Sequence, residues 1–128
     1  MKRLNAILVA IAALALVLTG ASQSAQTGAK AQTRVKKLYG TVGPGFTITL
    51  KKANGKRVRR VRRGRYTFVI KDKSAIHNFH LKGPGVNKVI TSVAFTGTKA
   101  TVVTLKKGTY TYVCDPHASI MHGTFKVV

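Results

Sequence analysis

Gly64-Arg65-Tyr66-Thr67-Phe68-Val69-Ile70-Lys71 places large apolar residues at 66, 68 and 70, with Thr67, Val69 and Lys71 between them. Successive side chains of a strand point to opposite faces, so a period of two built from aromatic and β-branched residues predicts a half-buried β-strand. The pattern recurs on both sides. Phe46, Ile48 and Leu50 alternate with Thr47 and Thr49, and Phe125 and Val127 alternate with Thr124 and Lys126. Gly108-Thr109-Tyr110-Thr111-Tyr112-Val113 echoes Gly64 to Val69, a recurrence of strand-forming chemistry and not a domain repeat, since the flanks do not match. Turn residues punctuate the chain at Gly43-Pro44-Gly45, Asn54-Gly55, Gly64, Gly83-Pro84-Gly85, Gly97 and Gly108. Asn54-Gly55 between two strands predicts a hairpin with a type I′ turn, which needs positive φ at both central residues. Short strands, frequent turns and no helical segment of useful length together predict an all-β, antiparallel Greek-key β-sandwich.

The amino terminus bounds the domain. Lys2 and Arg3 precede an apolar run from Ile7 to Leu18, followed by small or polar residues from Thr19 to Ala25. This order predicts a secretory signal peptide over residues 1–21, with Ala21, Ser22 and Ser24 all suitable for processing. The run is shorter than the roughly 18 to 20 apolar residues that span a bilayer. Residues 22–37 are rich in Ser, Ala, Gln, Thr and Lys without periodicity, as expected of a flexible basic linker. Residues 38–128 remain, enough for one compact core. The protein is therefore expected to be exported, to the periplasm or to the extracellular side in association with the cell envelope, and to be monomeric. Cys114 is the chain's one cysteine, so no disulfide can form within the chain and stability must come from packing, helped by a metal.

Charge excludes several chemistries. The 128 residues hold 23 Lys and Arg against two acids, Asp72 and Asp115, for a formal charge of +21. Loss of Lys2 and Arg3 with the leader leaves 21 basic residues against two. Two carboxylates are too few for a calcium loop and nearly exclude catalysis by paired carboxylates.

Chemistry concentrates in Tyr110-Thr111-Tyr112-Val113-Cys114-Asp115-Pro116-His117-Ala118-Ser119-Ile120-Met121-His122-Gly123. Tyr110, Tyr112 and Cys114 share a strand face, so inward tyrosines carry the thiol inward with them. Pro116 ends that strand and turns His117 back beside Cys114. Met121 follows before the last strand. A second imidazole comes from Ile76-His77-Asn78-Phe79-His80-Leu81, where parity puts His77 on the apolar face with Phe79 and Leu81, and His80 outward with Asn78. His77, Cys114, His117 and a weak axial Met121 make the two-imidazole, one-thiolate, one-thioether set expected of an electron-transfer copper site. Plainer roles stand beside these: an inert packing cysteine, a core histidine at 77, a space-filling methionine. A Cys114–His117 nucleophile pair lacks any partner constellation.

On these residues the chain over 38–128 resembles a cupredoxin of the plastocyanin and pseudoazurin type. The points of likeness are His77-Asn78, the Gly-x-Tyr-x-x-x-Cys approach from Gly108 to Cys114, and Cys-x-Pro-His followed by Met and Gly. The resemblance implies one copper ion per chain, ligands His77, Cys114, His117 and Met121, and a steadying role for Asn78 on the cysteine loop. Three residues separate His117 from Met121, where plastocyanin has four and amicyanin two. Asp115 and His122 are less familiar in this loop. Two functions share such ligands, a single-electron carrier and a copper storage, delivery or protection module. The scarcity of methionine, with only Met1 and Met121, favours the carrier.

The run from Lys51 to Arg65 carries nine basic residues and no acid, and belongs to no motif of that family. Val58 and Val61 stand three apart, which predicts a bulge or an edge strand. The charges serve either as a solvated edge that discourages aggregation or as a docking surface for an acidic redox protein, an anionic envelope polymer or an anionic lipid surface. Export makes nucleic acid a poor physiological partner.

Overall fold

Tyr66, Phe68 and Ile70 are buried to 3 %, 0 % and 0 % exposure, on one face of strand β4 (Gly64–Asp72). The computed structural model that shows this describes Gly20 and residues 34–128; the rest of the expected leader and most of the expected linker lie outside the described residues. Ahead of β4 come β1 (Lys36–Val42), β2 (Ile48–Lys52) and β3 (Arg60–Val61). After it come β5 (Phe79–Gly83), β6 (Val86–Thr91), β7 (Gly97–Leu105), β8 (Gly108–Val113) and β9 (His122–Val127). A single 3₁₀ turn, Asp115–His117, separates β8 from β9. Strand β1 begins at Lys36, two residues before the expected start of the folded domain. Among the described residues no helix is long and apolar enough to cross a membrane.

The strands form two sheets, ordered β2-β1-β4-β7 and β3-β9-β8-β5-β6, whose apolar faces enclose the core. The sandwich stands as expected, but it is mixed and not purely antiparallel. β1 pairs parallel to β4 from Lys36↔Tyr66 to Val42↔Asp72, and β3 pairs parallel to β9. The chain runs up β1 and back along β2, then crosses between sheets, so β4 starts again at the end where β1 started.

That crossing explains Val58 and Val61. Val58 N donates to Leu50 O in the first sheet at 2.9 Å, whereas Val61 lies in β3 of the second, and both side chains are buried. The three-residue offset is therefore a change of sheet, not a bulge, although β3 is indeed an edge strand. The Asn54-Gly55 turn also differs from expectation. Gly55 alone has positive φ, at 80°, and Gly55 N donates to Lys52 O, so Ala53 and Asn54 form the turn and glycine takes the left-handed position after it. Asn54 Oδ1 accepts from Lys56 N at 3.0 Å, which supports Asn54 without the left-handed geometry.

Two glycines make room for the inward tyrosines of β8. Tyr112 faces Gly123 of β9, where an added Cβ would lie 2.2 Å from the phenol ring, and Tyr110 fills the corresponding space at Gly83 of β5. Tyr112 stacks on Phe79 with centroids 5.7 Å apart, and Tyr110 on Phe125 at 5.4 Å. The Tyr110 hydroxyl donates to Pro84 O and accepts from Lys106 N, tying two turns to the barrel interior without leaving a buried polar atom unpaired.

Candidate metal centre

β4, β5, β8 and β9 deliver their loops to one end of the sandwich. Past β4, Asp72 Oδ1 accepts from Ser74 N, and His77 N donates to Ser74 O, curling residues 73–78 into a turn that aims His77 inward. His77 lies in this loop just before β5, yet it shares the buried side with Phe79 and Leu81, all at 0 % exposure, as parity required. Gly43, at φ 69°, lets the β1–β2 loop close over it: a Cβ there would meet Ser74 Cβ at 3.0 Å and His77 Cδ2 at 3.1 Å.

Past β8 the chain enters the 3₁₀ turn with Pro116 in its first turn, where a missing N–H costs nothing. His117 N donates to Cys114 O, Met121 N to His117 O at 2.8 Å, and Cys114 N to Met121 O at 2.9 Å. These bonds close the loop around the three residues between His117 and Met121 and hold Cys114 and Met121 side by side at its base. Both are fully buried, while His117 is half-buried at its rim.

Three donor atoms converge. His77 Nδ1 and His117 Nδ1 are 3.0 Å apart, and Cys114 Sγ lies 3.7 Å from the first and 3.6 Å from the second. The point equidistant from all three is about 2.0 Å from each, within a few tenths of an ångström of metal–imidazole and metal–thiolate bond lengths. Two ring nitrogens 3.0 Å apart can share a hydrogen bond or bind one metal ion together, and the sulfur beside them suits the second. Borderline nitrogen and soft sulfur donors select copper or zinc over magnesium or calcium. His77, Cys114 and His117 form the one such cluster of metal-binding side chains among the described residues.

A polar clamp braces the cysteine loop from outside. Asn78, 3 % exposed, accepts from Asp115 N at 2.7 Å and donates from Nδ2 to Asp115 Oδ2 at 2.8 Å, while its own N–H points at Cys114 Sγ at 3.5 Å. Asp115 thereby acquires a role that its position in the sequence did not disclose. Its carboxylate also accepts from His80 Nδ1 at 2.9 Å and lies 3.8 Å from Lys82 Nζ. Partial burial pushes the Asp115 carboxyl up, but the bonds from Asn78 and His80 and the charges of His80 and Lys82 outweigh it and hold it below its ordinary value. His80 does sit on the face away from His77, but it is not free in solvent. Its side chain is 14 % exposed, with Nε2 at 2.6 Å from Asn87 Oδ1. His122, beside Met121, is committed to Ala118 O at 2.8 Å.

Phe46 was expected in a strand and lies instead in the loop before β2. Its ring meets His117 edge-on at a centroid distance of 4.9 Å and His77 at 5.5 Å, while 58 % of the residue stays exposed. Ile76 and Ile120, on the His77 and Cys114–Met121 loops, are exposed to 55 % and 61 %. The alternation of Phe46 with Ile48 and Leu50 hid this role, because a period of two continues past the end of the strand.

A family model described as copper binding proteins of the plastocyanin/azurin family matches residues 54–128. No curated protein sequence matches the chain. Among solved structures, auracyanin A, a "blue" copper protein from the green thermophilic photosynthetic bacterium Chloroflexus aurantiacus, is 22 % identical over 72 % of this chain and 98 % of its own, with a TM-score of 0.50. Rusticyanin is 24 % identical over 72 % of this chain and 76 % of its own, with a TM-score of 0.49. A chain of a heme-copper terminal oxidase dimer is 18 % identical over 72 % of this chain and 63 % of its own, with a TM-score of 0.51. At these identities the likeness to auracyanin A and to the oxidase chain is one of fold.

Proposed function

Because the chain belongs to the plastocyanin/azurin family of copper-binding proteins, we propose that it is an exported single-electron carrier whose copper would be held by His77, Cys114 and His117, with Met121 as a weak fourth ligand. The observation that carries this reading is the convergence of one thiolate and two imidazole nitrogens on a point about 2.0 Å from each. Bound copper supplies reversible one-electron chemistry between Cu(I) and Cu(II).

The chain's own residues keep that change small in structural terms. Cys114 is buried, its sulfur accepts from Asn78 N, and its main chain is locked to Met121 and His117. Three loops fixed on a rigid sandwich give the donors little freedom to rearrange between oxidation states. His117 is the half-buried donor, so electrons leave by its edge, through the apolar rim of Phe46, Ile76 and Ile120. A partner protein docks against that rim. The carboxylate beside Cys114, that of Asp115, is held by Asn78 and His80, which supports a carrier over an enzyme needing a free acid or base there. Full burial of the sulfur donors likewise favours a retained ion over an exchangeable one. Export rests on the leader over residues 1–21.

Adding Cu(II) to the purified protein tests the reading. One equivalent produces an intense visible band from the thiolate–Cu(II) bond, and Cys114→Ser abolishes it. A colourless complex, or one indifferent to that substitution, overturns the assignment.

A further inference from the structure

One cleft among the described residues lies away from the metal-binding loops. It holds about 650 Å³ at the other end of the sandwich, walled by Lys36, Lys37, Lys52, Arg60 and Arg62. All five are exposed, and Leu38, Val61 and Tyr66 beneath them are buried. Lys36 also reaches over the Tyr66 ring, 5.7 Å from its centroid, and shares with it a second groove of about 390 Å³ into which Arg34, Arg63 and Arg65 extend. The two grooves thus adjoin along Lys36 and Tyr66 as a track of eight cations. The sequence suggested a basic patch from Lys51 to Arg65; the fold adds Arg34, Lys36 and Lys37, because parallel pairing lays the start of β1 beside the start of β4.

Among the described residues no acidic side chain lies along this track. Asp72 and Asp115 are the chain's two acidic residues, and both lie at the opposite end, Asp72 closing β4 and Asp115 beside Cys114. No cation of the track forms an ion pair among the described residues. The eight steps from Gly64 to Asp72 along β4, at about 3.3 Å each, separate the track from the metal-binding loops by about 26 Å. A redox partner seated here would be far from His117, so the surface is not the electron exit. We infer that the cleft binds a linear phosphate polymer, anchoring the domain by the end remote from its metal centre. Concavity favours a chain that lies between the cationic walls over a flat bilayer, whose headgroups meet only the rims. A run of closely spaced charges favours a phosphate polymer, with one charge per unit and oxygens that arginine forks engage in pairs.

Long-chain inorganic polyphosphate is the probe, with binding followed by fluorescence anisotropy across a salt series. Lys36→Gln/Arg60→Gln/Arg62→Gln removes three charges from the cleft, and Lys71→Gln/Lys88→Gln/Lys99→Gln removes three from elsewhere. At about 0.7 per phosphate contact, the first variant lowers the slope of log affinity against log salt by about 2, so between 50 and 200 mM the parent loses about 20-fold more affinity than the variant. The second variant binds as the parent does. All the substituted side chains are exposed, and unchanged melting shows that the fold is kept. Equal losses in the two variants would mean that net charge alone attracts the polymer, and the cleft would carry no site. Cleft-dependent binding to phosphatidylglycerol vesicles that is tighter than to polyphosphate would overturn the choice of a linear partner. The readout does not depend on metal, so failure here leaves the copper assignment standing.

Discussion

Replacing Asn78 with alanine removes the clamp on the cysteine loop and leaves the sulfur's own hydrogen bond in place, because that bond comes from the main chain. Two bonds are lost. Asp115 N to Asn78 Oδ1 joins neutral groups and is worth about 0.5 to 1.5 kcal/mol; Asn78 Nδ2 to the Asp115 carboxylate joins an ion and is worth about 1.5 to 3 kcal/mol. Asp115 is 42 % exposed, so solvent screening puts the second at the low end of its range, and the total is about 2 to 3 kcal/mol. With a urea slope of about 1 to 1.5 kcal/mol/M, the unfolding midpoint falls by roughly 1.3 to 3 M. The copper-loaded variant keeps its visible band. Asn78→Asp, nearly identical in shape, is the sharper case. It sets a second carboxylate about 2.8 Å from the first, where an amide donor had been, and so loses more stability than alanine at neutral pH. The new carboxyl's pKa is raised in the folded state by that like charge, so its penalty is small below the unfolded value and grows as pH rises through the folded value. Acidification therefore recovers part of the loss, against a background of only two native acidic side chains. Urea titrations of parent and both variants across pH 3 to 8 measure all of this. An alanine variant within about 0.5 kcal/mol of the parent, or an aspartate variant no worse than alanine at neutral pH, would refute the clamp.

Gly123→Ala drives a Cβ into the rigid Tyr112 ring and costs about 1 to 3 kcal/mol by thermal or urea unfolding, as does Gly83→Ala against Tyr110. His77→Ala abolishes the visible band. His80→Ala keeps it but lowers stability by about 1 to 2 kcal/mol, since it strips the Asp115 carboxylate of its imidazole partner. Met121→Gln puts a harder donor in place of a thioether that prefers Cu(I), so voltammetry records a lower reduction potential with the colour retained; an unchanged potential assigns Met121 to packing.

Local spacing carried much of the site. Cys114 and His117 meet because a proline turn of fixed geometry separates them, and His77 turns inward with Phe79 and Leu81 although it lies outside the strand proper. The strands of the core were legible for the same reason: one face of each must be apolar, and a period of two records which face. This logic fails where strands end. It carried Phe46 into a strand when its ring lies over two imidazoles, and of its two readings of the Val58 to Val61 offset the edge strand stands, while the bulge gives way to a change of sheet.

The residues alone therefore determined the strand faces, the inward thiolate and the pair of histidines available to it, since each follows from chemistry within a few neighbouring positions. Only the tertiary structure decided that Asp115 pairs with Asn78 and His80 and that the basic run meets Arg34 to Lys37 at the end away from the metal-binding loops. Those arrangements depend on the parallel pairing of β1 with β4 and on the order of strands in the two sheets, which bring together residues 30 or more positions apart, and no local pattern encodes that order.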